Sequence, residues 1–399
     1  MTDSVFIHAF TPSRIHTSLI HPLAHVRVAV VINTSWNIWN FRRGLVKALQ
    51  AAGHEVLAIA PPDAYSGRLE SELGCRYVPI LMENKGTNPL KDAQLTRRFL
   101  AIYKRERPDV VLHFTIKPNI YGTLAARLAG VPSINNVSGL GTVFLIENLV
   151  SKVARGLYRL AFRFPRKVFF QNNDDRELFI RYGLIRPERT GLVPGSGVDL
   201  QRFQLQAQPE KPADEPFTFI MVARVLYEKG IVEYFEAARQ VRAALGAGKV
   251  RLQLLGSIDE AGGVGVPRAT FEQWLTEGQI DYLGTSDHVA EHLHRADCVV
   301  LPSYREGTPK TLLEAAACGK PLVTTDVPGC RETVQHGHNG YLCEVRSAAD
   351  LAAKLLQVAG LPPARLAAMG EASRQLAEDR FDEKLVLREY LQAVAEAGK

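Results

Sequence analysis

Short apolar runs alternate with longer helical patterns along most of this 399-residue chain. Such alternation is typical of parallel sheets covered by helices on both faces, because each strand needs a crossover before the next parallel strand. The chain is therefore predicted to be an α/β protein. The helical patterns include Phe41–Ala52, Leu90–Arg107 and Asn119–Ala129. The first predicted strands are Val26–Ile32, Glu55–Ala60, Tyr77–Leu81, Val110–His113, Ile134–Val137 and Val168–Gln171.

The pattern stops at a polar stretch and then starts again. Residues 204–216 contain Pro209, Pro212 and Pro216 among polar residues, which favours a linker. Two doubly wound Rossmann-like domains are therefore predicted, at residues 26–203 and 217–383. The second set of predicted strands is Phe217–Ala223, Val250–Leu255, Asp281–Leu283, Cys298–Pro302 and Leu322–Thr325.

Two glutamates, Glu306 and Glu314, lie eight positions apart around a turn between a predicted strand and a helix. Free N–H groups at the start of that helix, and the positive end of its dipole, suit a diphosphate. The carboxylates can accept hydrogen bonds from sugar hydroxyls on either side. The alternative is that both glutamates are solvated surface charges. The turn and the first helical position are formed by Gly307, Thr308, Pro309 and Lys310.

A second motif follows the predicted strand Phe217–Ala223. Arg224 lies at the carboxyl end of this strand and Lys229 five residues further on. The planar guanidinium and the compact ammonium can converge on the same phosphates. Two motifs suited to one ligand indicate a nucleotide-sugar site more strongly than either motif alone.

These motifs resemble those of family 4 of the retaining glycosyltransferases, and the resemblance extends over nearly the whole chain from about Val26. Arg224 and Lys229 match the family's R-x4-K pair, while Glu306 and Glu314 match its E-x7-E motif. Three longer stretches are similar to a branch that acts on undecaprenyl-diphosphate-linked sugars, including N-acetylgalactosaminyl transfer to lipid-linked diacetylbacillosamine. They are 301–307, 314–320 and 115–122.

The resemblance implies a GT-B arrangement, in which the two domains face each other across a cleft. A last helix at about Leu385–Ala397, within residues 384–399, would return to the first domain. The implied reaction retains the anomeric configuration by same-face attack, with the leaving phosphate helping to deprotonate the acceptor. The implied donor is a UDP-N-acetylhexosamine and the acceptor is a lipid-linked saccharide.

The family's site roles carry over residue by residue. Arg224, Lys229 and the N–H groups after Glu306 would stabilise the departing diphosphate. Glu306 would contact the donor sugar and Glu314 the ribose, with Gly256 also in the donor site. The chain has no D-x-D carboxylate pair that could hold a metal ion, so no metal is expected. No cofactor and no nucleic-acid partner are expected either.

The first domain is expected to carry the acceptor. Many family members have a His at the end of the fourth strand region, where this chain has Lys117, with His113 slightly earlier. In the first strand-to-helix loop, Ser35, Trp36 and Asn37 either contact an acceptor sugar or form a helix cap with packed aromatic rings. The remaining candidate for contact with the acceptor or donor sugar is Gly139.

Other two-domain nucleotide proteins are alternatives. The segments starting at Gly139 and Gly195 lack the third glycine of the G-x-G-x-x-G fingerprint, which disfavours a dinucleotide enzyme. A UDP-sugar epimerase would not explain both charged motifs. A catalytically inactive subunit that only binds a sugar nucleotide also remains an alternative, although all four motif residues are present.

A stripe of five cations recurs at helical spacing, and apolar residues at 150, 153, 157, 160 and 164 form a second face. With the net charge of +6, this stripe predicts a peripheral enzyme that contacts an anionic membrane at its cytoplasmic face. The alternative is an ordinary solvated helix face. The stripe consists of Lys152, Arg155, Arg159, Arg163 and Arg166.

The remaining features give weaker indications. Residues 1–25 lack regular periodicity and are predicted to be a disordered extension, and their four His residues have no metal-ligand spacing. The five cysteines are irregularly spaced, which predicts reduced thiols and not disulfides or a zinc site. No apolar run of eighteen residues occurs in the sequence.

Overall fold

A computed structural model of the chain describes residues 25–83, 88–140, 149–206, 212, 214–258 and 265–398. The predicted extension over 1–25 lies outside these ranges except for its last residue. The predicted linker over 204–216 is described only in part, so the domain boundaries at 203 and 217 remain predictions.

The first sheet has seven parallel strands in the order β3-β2-β1-β4-β5-β6-β7. Val28 of β1 pairs with Val56 on one side and Val110 on the other. The central strands are buried on both faces, which explains their continuous apolar runs. The strands are β1 (Arg27–Val31), β2 (Glu55–Ala60), β3 (Arg76–Pro79), β4 (Val110–Phe114), β5 (Ser133–Val137), β6 (Lys167–Phe170) and β7 (Thr190–Leu192).

The second sheet has six parallel strands in the order β10-β9-β8-β11-β12-β13. Its central strand is β8, in which Phe219 lies between Leu252 and Cys298. The strands are β8 (Phe217–Val222), β9 (Val250–Leu255), β10 (Asp281–Tyr282), β11 (Cys298–Leu301), β12 (Leu322–Thr325) and β13 (Gly340–Cys343).

Helices cover both faces of each sheet. Those that follow the first seven strands in sequence are α1 (Ser35–Asn37), α2 (Arg43–Ala51), α3 (Ser66–Ser71), α4 (Pro89–Glu106), α5 (Thr123–Ala129), α6 (Leu149–Ala161) and α7 (Asn173–Arg181). The later helices are α8 (Ile231–Leu245), α9 (Arg268–Thr276), α10 (Val289–Arg295), α11 (Lys310–Ala317), α12 (Ala348–Ala359), α13 (Pro363–Leu376) and α14 (Glu383–Ala397).

The predicted fold class is confirmed, but two strands were not predicted. β7 has only three residues, one of them glycine, and β13 begins with glycine after a turn. Both are too short to show a periodic pattern, and both become strands by pairing with a neighbour already in the sheet.

Both sheets reverse their strand order at one point, and the site is organised around these two points. In the first sheet the reversal lies between β1 and β4, and in the second between β8 and β11. Loops after neighbouring strands diverge to opposite faces at such a switch point, which opens a crevice at the carboxyl ends of the strands. The loops after these four strands carry most of the predicted site residues.

The prediction that five cations share one helix is wrong. α6 ends at Ala161, so Arg163 and Arg166 lie beyond it. Pro165 explains this end, because the residue before a proline disfavours the helical conformation. The buried side chains at this end of α6 are Tyr158, Ala161 and Phe162, whereas Val153, Leu160 and Phe164 of the predicted apolar face are exposed.

All five cysteines are buried and free, in agreement with the prediction of unpaired thiols. Within the described ranges, no helix combines the length and apolar character needed to cross a membrane.

The last helix packs into the core of the first sheet. Val386, Tyr390 and Val394 of α14 are buried at spacings of four residues in the same cluster as β1 and β4. The ring of Tyr390 lies 5.0 Å from that of Phe169 and 5.8 Å from that of Phe114. The final helix therefore stabilises the sheet built by the beginning of the chain.

Replacing Tyr390 should test this packing. Tyr390→Ala is expected to reduce the free energy of unfolding by about 3–5 kcal/mol, as for other large buried aromatic side chains. The exposed neighbour Glu389 provides the control, since Glu389→Ala should change the stability by less than about 0.5 kcal/mol. Urea denaturation measures both, and equal stabilities of the two variants would contradict the packing role.

Candidate functional site

A cleft of about 520 Å³ opens between the carboxyl ends of the two sheets. Its size is in the range of small-molecule sites. Residues from both domains line it, and the structure brings together six of the predicted site residues there. They are Lys117, Gly139, Arg224, Lys229, Glu306 and Gly307.

Lys229 and Glu306 form a direct ion pair in this cleft. The side chains are 18% and 14% exposed, respectively, so the pair is largely shielded from water. Ser303 Oγ also donates a hydrogen bond of 2.6 Å to Glu306 Oε1. The next residue, Gly230, has a φ of +73°, and a Cβ atom there would lie 2.1 Å from the carbonyl oxygen of Pro302, so this position requires glycine.

Arg224 lines the same wall of the cleft, two residues after the end of β8. Gly256, at the end of β9, does not line the cleft. It approaches β8 so closely that a Cβ atom would lie 1.8 Å from the carbonyl oxygen of Ala223. Gly256 therefore allows the two strand ends to approach each other beside Arg224.

The loop after β11 contacts the first domain. A Cβ atom on Gly307 would lie 2.0 Å from the carbonyl oxygen of Ser138. Gly139, with a φ of +139°, would place a Cβ atom 3.2 Å from Gly307 N. Close contact between two backbones explains why both positions are glycine. Thr308 Oγ1 donates to Gln171 O at 3.0 Å.

Glu314 lies in the second turn of α11 and does not line the described cleft. Lys310 Nζ is 4.0 Å from its carboxylate and donates a hydrogen bond of 2.5 Å to Asn40 O. Lys310 also lies 4.9 Å from the centre of the Phe41 ring. Burial raises the pKa of Glu314 and lowers that of Lys310, while each charge partly offsets the effect on the other. Thus the two motif glutamates occupy different environments.

Lys117 is held in place by a residue that the sequence did not indicate. Its Nζ atom is 3.0 Å from Asp92 Oδ1, and Tyr121 donates a hydrogen bond of 2.8 Å to the other carboxylate oxygen. Asp92 lies in the first turn of α4, where an acidic residue is common for helix stability alone. Thr115, also in the wall of the cleft, has a φ of +66°, an unusual conformation for a β-branched residue.

His113 lies in the core and not in the cleft. Its Nε2 atom is 2.9 Å from the hydroxyl of Tyr103, and Gly122 leaves room for the ring. Burial lowers the pKa of His113 to about 3, so the ring is neutral at physiological pH.

Three predicted site residues of the first loop, Ser35, Trp36 and Asn37, do not line the cleft. Ser35 is buried and contacts Pro61 O at 3.1 Å, while Trp36 packs edge-on against Phe41. The cap of α1 is Thr34 and not Ser35. Asn37 donates to Asn33 Oδ1 at 2.7 Å, and it is Asn33 that lines the cleft.

Two arginines of the cleft were not predicted. Arg305 forms an ion pair with Asp175 of the first domain. Arg346 lies 4.7 Å from the centre of the Tyr304 ring, and the Tyr304 hydroxyl donates to Glu233 at 2.8 Å. Arg346 follows β13, which was not among the predicted strands. The sequence therefore did not indicate that Arg346 lies at the carboxyl end of a strand.

The cleft combines several cations with fewer carboxylates, an arrangement that suits phosphate groups. The cations that line it are Lys117, Arg224, Lys229, Arg305 and Arg346, and the carboxylates are Glu83, Glu228 and Glu306. Among the described residues, no three His, Cys, Asp or Glu side chains lie together so that they could hold a metal ion.

Two family models match the chain, one on each domain. The model of a glycosyl transferase 4-like domain matches residues 38–196, and that of glycosyl transferases group 1 matches residues 202–376. The residues that line the cleft come from both matched regions, apart from Asn33.

Individual relatives agree with these matches. The chain is 28% identical to the N,N'-diacetylbacillosaminyl-diphospho-undecaprenol alpha-1,3-N-acetylgalactosaminyltransferase of Campylobacter jejuni, over 92% of this chain and 97% of that protein. It is 25% identical to the UDP-Gal:alpha-D-GlcNAc-diphosphoundecaprenol alpha-1,3-galactosyltransferase of Escherichia coli, over 69% of this chain and 72% of that protein.

A solved structure shows the same fold. Anabaena HepE, solved in complex with UDP and glucose, superimposes with a TM-score of 0.75 at 18% identity, covering 93% of this chain and 100% of that chain. The two family models, the relatives and the shared architecture agree, and the chain therefore belongs to glycosyltransferase family 4 and is a glycosyltransferase.

Proposed function

We propose that this protein is a retaining glycosyltransferase that transfers an N-acetylhexosamine from a UDP-sugar to a polyprenyl-diphosphate-linked saccharide. The transfer would serve the assembly of a bacterial surface glycan or glycoprotein glycan. The observation that carries this proposal is the Lys229–Glu306 ion pair, which lies with Arg224 at the switch point of the second sheet. The names of the Campylobacter jejuni and Escherichia coli relatives support the choice of lipid-linked acceptor.

The donor diphosphate would bind to Arg224 and Lys229. Both side chains line the cleft after the central strand of the second sheet, where a dianionic ligand gains two charge-assisted contacts. Lys229 would then be shared between Glu306 and a phosphate oxygen. Glu306 would accept hydrogen bonds from the donor sugar, and Glu314 from the ribose.

In the proposed reaction, the bond between the anomeric carbon and the phosphate oxygen breaks, and a bond to the acceptor hydroxyl oxygen forms on the same face. The acceptor proton moves to the departing phosphate oxygen, so UDP leaves and the anomeric configuration is retained. Negative charge grows on the phosphate in the transition state, where Arg224 and Lys229 stabilise it. Because these two cations are supplied by the chain itself, we propose that the transfer does not require a bound metal ion.

The acceptor would enter along the first domain. Asn33, Thr115 and Lys117 form this wall of the cleft. The Asp92 carboxylate holds the Lys117 ammonium, which would bind a polar group of the acceptor saccharide. Gly139 also lines the cleft and would lie beside the acceptor or the donor sugar.

A surface next to this wall would contact the membrane. The side chains of Val153, Leu160 and Phe164 are 54%, 44% and 37% exposed, respectively, and Tyr158 of α6 lines the cleft. Exposed apolar side chains among cations are typical of peripheral membrane contacts. We call the exposed residues the α6 surface: Lys152, Val153, Arg159, Leu160, Arg163, Phe164 and Arg166.

Arg155, which the sequence placed in the stripe of cations, is not part of the α6 surface. It is partly buried and lies 4.9 Å from the centre of the Tyr182 ring, while Arg159 donates a hydrogen bond to Tyr182 O. We propose that the α6 surface holds the enzyme at the cytoplasmic face of the membrane, where a lipid-linked acceptor and a UDP-sugar can meet.

Transfer can be tested directly with UDP-sugars and a polyprenyl-diphosphate-linked saccharide. We expect acceptor-dependent release of UDP, a product with the donor's anomeric configuration by NMR, and the same rate in excess EDTA. Donor binding without transfer to any acceptor tried would favour an inactive binding subunit. Interconversion of two UDP-sugars without an acceptor would instead favour an epimerase.

The two motif glutamates should affect different kinetic constants. Glu314→Gln is expected to raise the KM for the donor about 10- to 100-fold, since a hydrogen bond to a charged group contributes about 1.5–3 kcal/mol. Glu306→Gln should mainly lower kcat and leave the affinity for UDP nearly unchanged. Glu344→Gln, at an exposed position, is the control. Equal losses of UDP affinity in both motif variants would contradict these roles.

The α6 surface can be tested with vesicles of anionic lipid. Replacing Lys152, Arg163 and Arg166 together by Gln should weaken adsorption by about 3 kcal/mol at low salt, at about 1 kcal/mol for each cation. Activity on a water-soluble acceptor analogue should persist. The control replaces three exposed cations of the second domain by Gln: Arg239, Lys249 and Arg295. Equal adsorption of the two triple variants would show that the α6 surface is merely solvated.

A further inference from the structure

The loop that carries Glu306 is held by residues of the first domain. Asn172 Nδ2 donates hydrogen bonds to Gly307 O at 2.8 Å and to Glu306 O at 3.4 Å. Thr308 Oγ1 donates to Gln171 O at 3.0 Å. These contacts flank Glu306 on its carboxyl side and join segments that are more than 130 residues apart in the chain.

On the amino side of Glu306, Arg305 makes an ion pair with Asp175. Arg305 Nη2 lies 2.5 Å from Asp175 Oδ1, and the Asp175 side chain is fully buried. Burial raises the pKa of Asp175, and the Arg305 charge acts in the opposite direction. The Asp175 backbone N–H also donates to Asn172 Oδ1 at 2.8 Å, which caps α7. We call Gln171, Asn172 and Asp175 together the α7 cap.

Residues of the second domain contact the other side of the loop that carries Glu306. Glu306 N donates to Pro328 O at 3.2 Å. A Cβ atom on Gly329 would lie 2.4 Å from Glu306 O, so no larger residue fits there. The backbone of Glu306 is thus enclosed between the α7 cap and the loop after β12.

Stability alone is a weak explanation for the Arg305–Asp175 pair. Removing two charges from water costs free energy, and apolar residues of similar volume often stabilise a protein as well or better. A buried ion pair does define one geometry, because both groups must keep their partner. Because Arg305 directly precedes Glu306 in the chain, a fixed geometry of this ion pair also limits where Glu306 can lie.

We propose that Asp175 and Asn172 are positioning residues of the first domain, which orient Glu306 through Arg305 and the Gly307 carbonyl. The inference rests on the proposed function, in which Glu306 contacts the donor sugar. Since the contacts cross between the domains, Glu306 takes its active position only when the first domain is docked against the loop.

The test compares Asp175→Asn, Arg305→Gln and the double variant with the parent enzyme, using the UDP-sugar and lipid-linked acceptor of the transfer assay. Asp175→Asn alone leaves Arg305 without its partner and can lose stability, so the double variant, which removes both charges, is the decisive one. Asp174→Asn is the matched control, since Asp174 is the exposed neighbour of Asp175 in the same helical turn.

We expect the double variant to keep the parent's Tm while its kcat falls about 10- to 100-fold, as for a small misplacement of a reacting group. Asp174→Asn should match the parent. In a Glu306→Gln background, the same double substitution should cause no further loss of kcat, because the group it orients is already gone.

Two outcomes would overturn the inference. These are a double variant with parental kcat, or an undiminished effect of the double substitution in the Glu306→Gln background. If the parent itself transfers no sugar with any donor, the proposed function fails instead, and the two failures are thereby distinguished.

Discussion

In the part of the chain that the structure describes, the strands of each parallel sheet have their carboxyl ends at the same end of the sheet, and the rest of the site depends on this constraint. Parallel strands need crossover connections, which send every strand-to-helix loop to the same edge. The loops after β1 and β4 therefore oppose those after β8 and β11. Residues as distant in sequence as Lys117, Arg224 and Glu306 meet in one cleft for this reason.

Ion pairs organise the charges in this cleft. Lys229 pairs with Glu306, Lys117 with Asp92, and Arg305 with Asp175. A partly buried charge without a partner is costly, so each pair limits where its members can point. The charges are consequently arranged before any ligand arrives. Such prior organisation is what electrostatic stabilisation of a departing diphosphate requires.

The limits of sequence-based prediction follow from the range of the interactions. The R-x4-K and E-x7-E spacings are local, and both motifs could be identified without a structure. Asp92 and Asp175 could not, because an acidic residue in the first turn of a helix is common for reasons of helix stability alone. His113 seemed a site candidate because it lies near the carboxyl end of β4. Only the packing around it revealed a buried ring next to Tyr103.

By itself, the sequence determined the α/β class, the two doubly wound domains, the thiol state of the cysteines and the four charged motif residues. Periodicity and short motifs involve residues that are close together in the sequence, so they can be recognised without a structure. The tertiary structure alone decided that Glu306 and Glu314 have different surroundings and that the α7 cap contacts the Glu306 loop. Each of these facts depends on contacts between segments far apart in the chain, which no local pattern records.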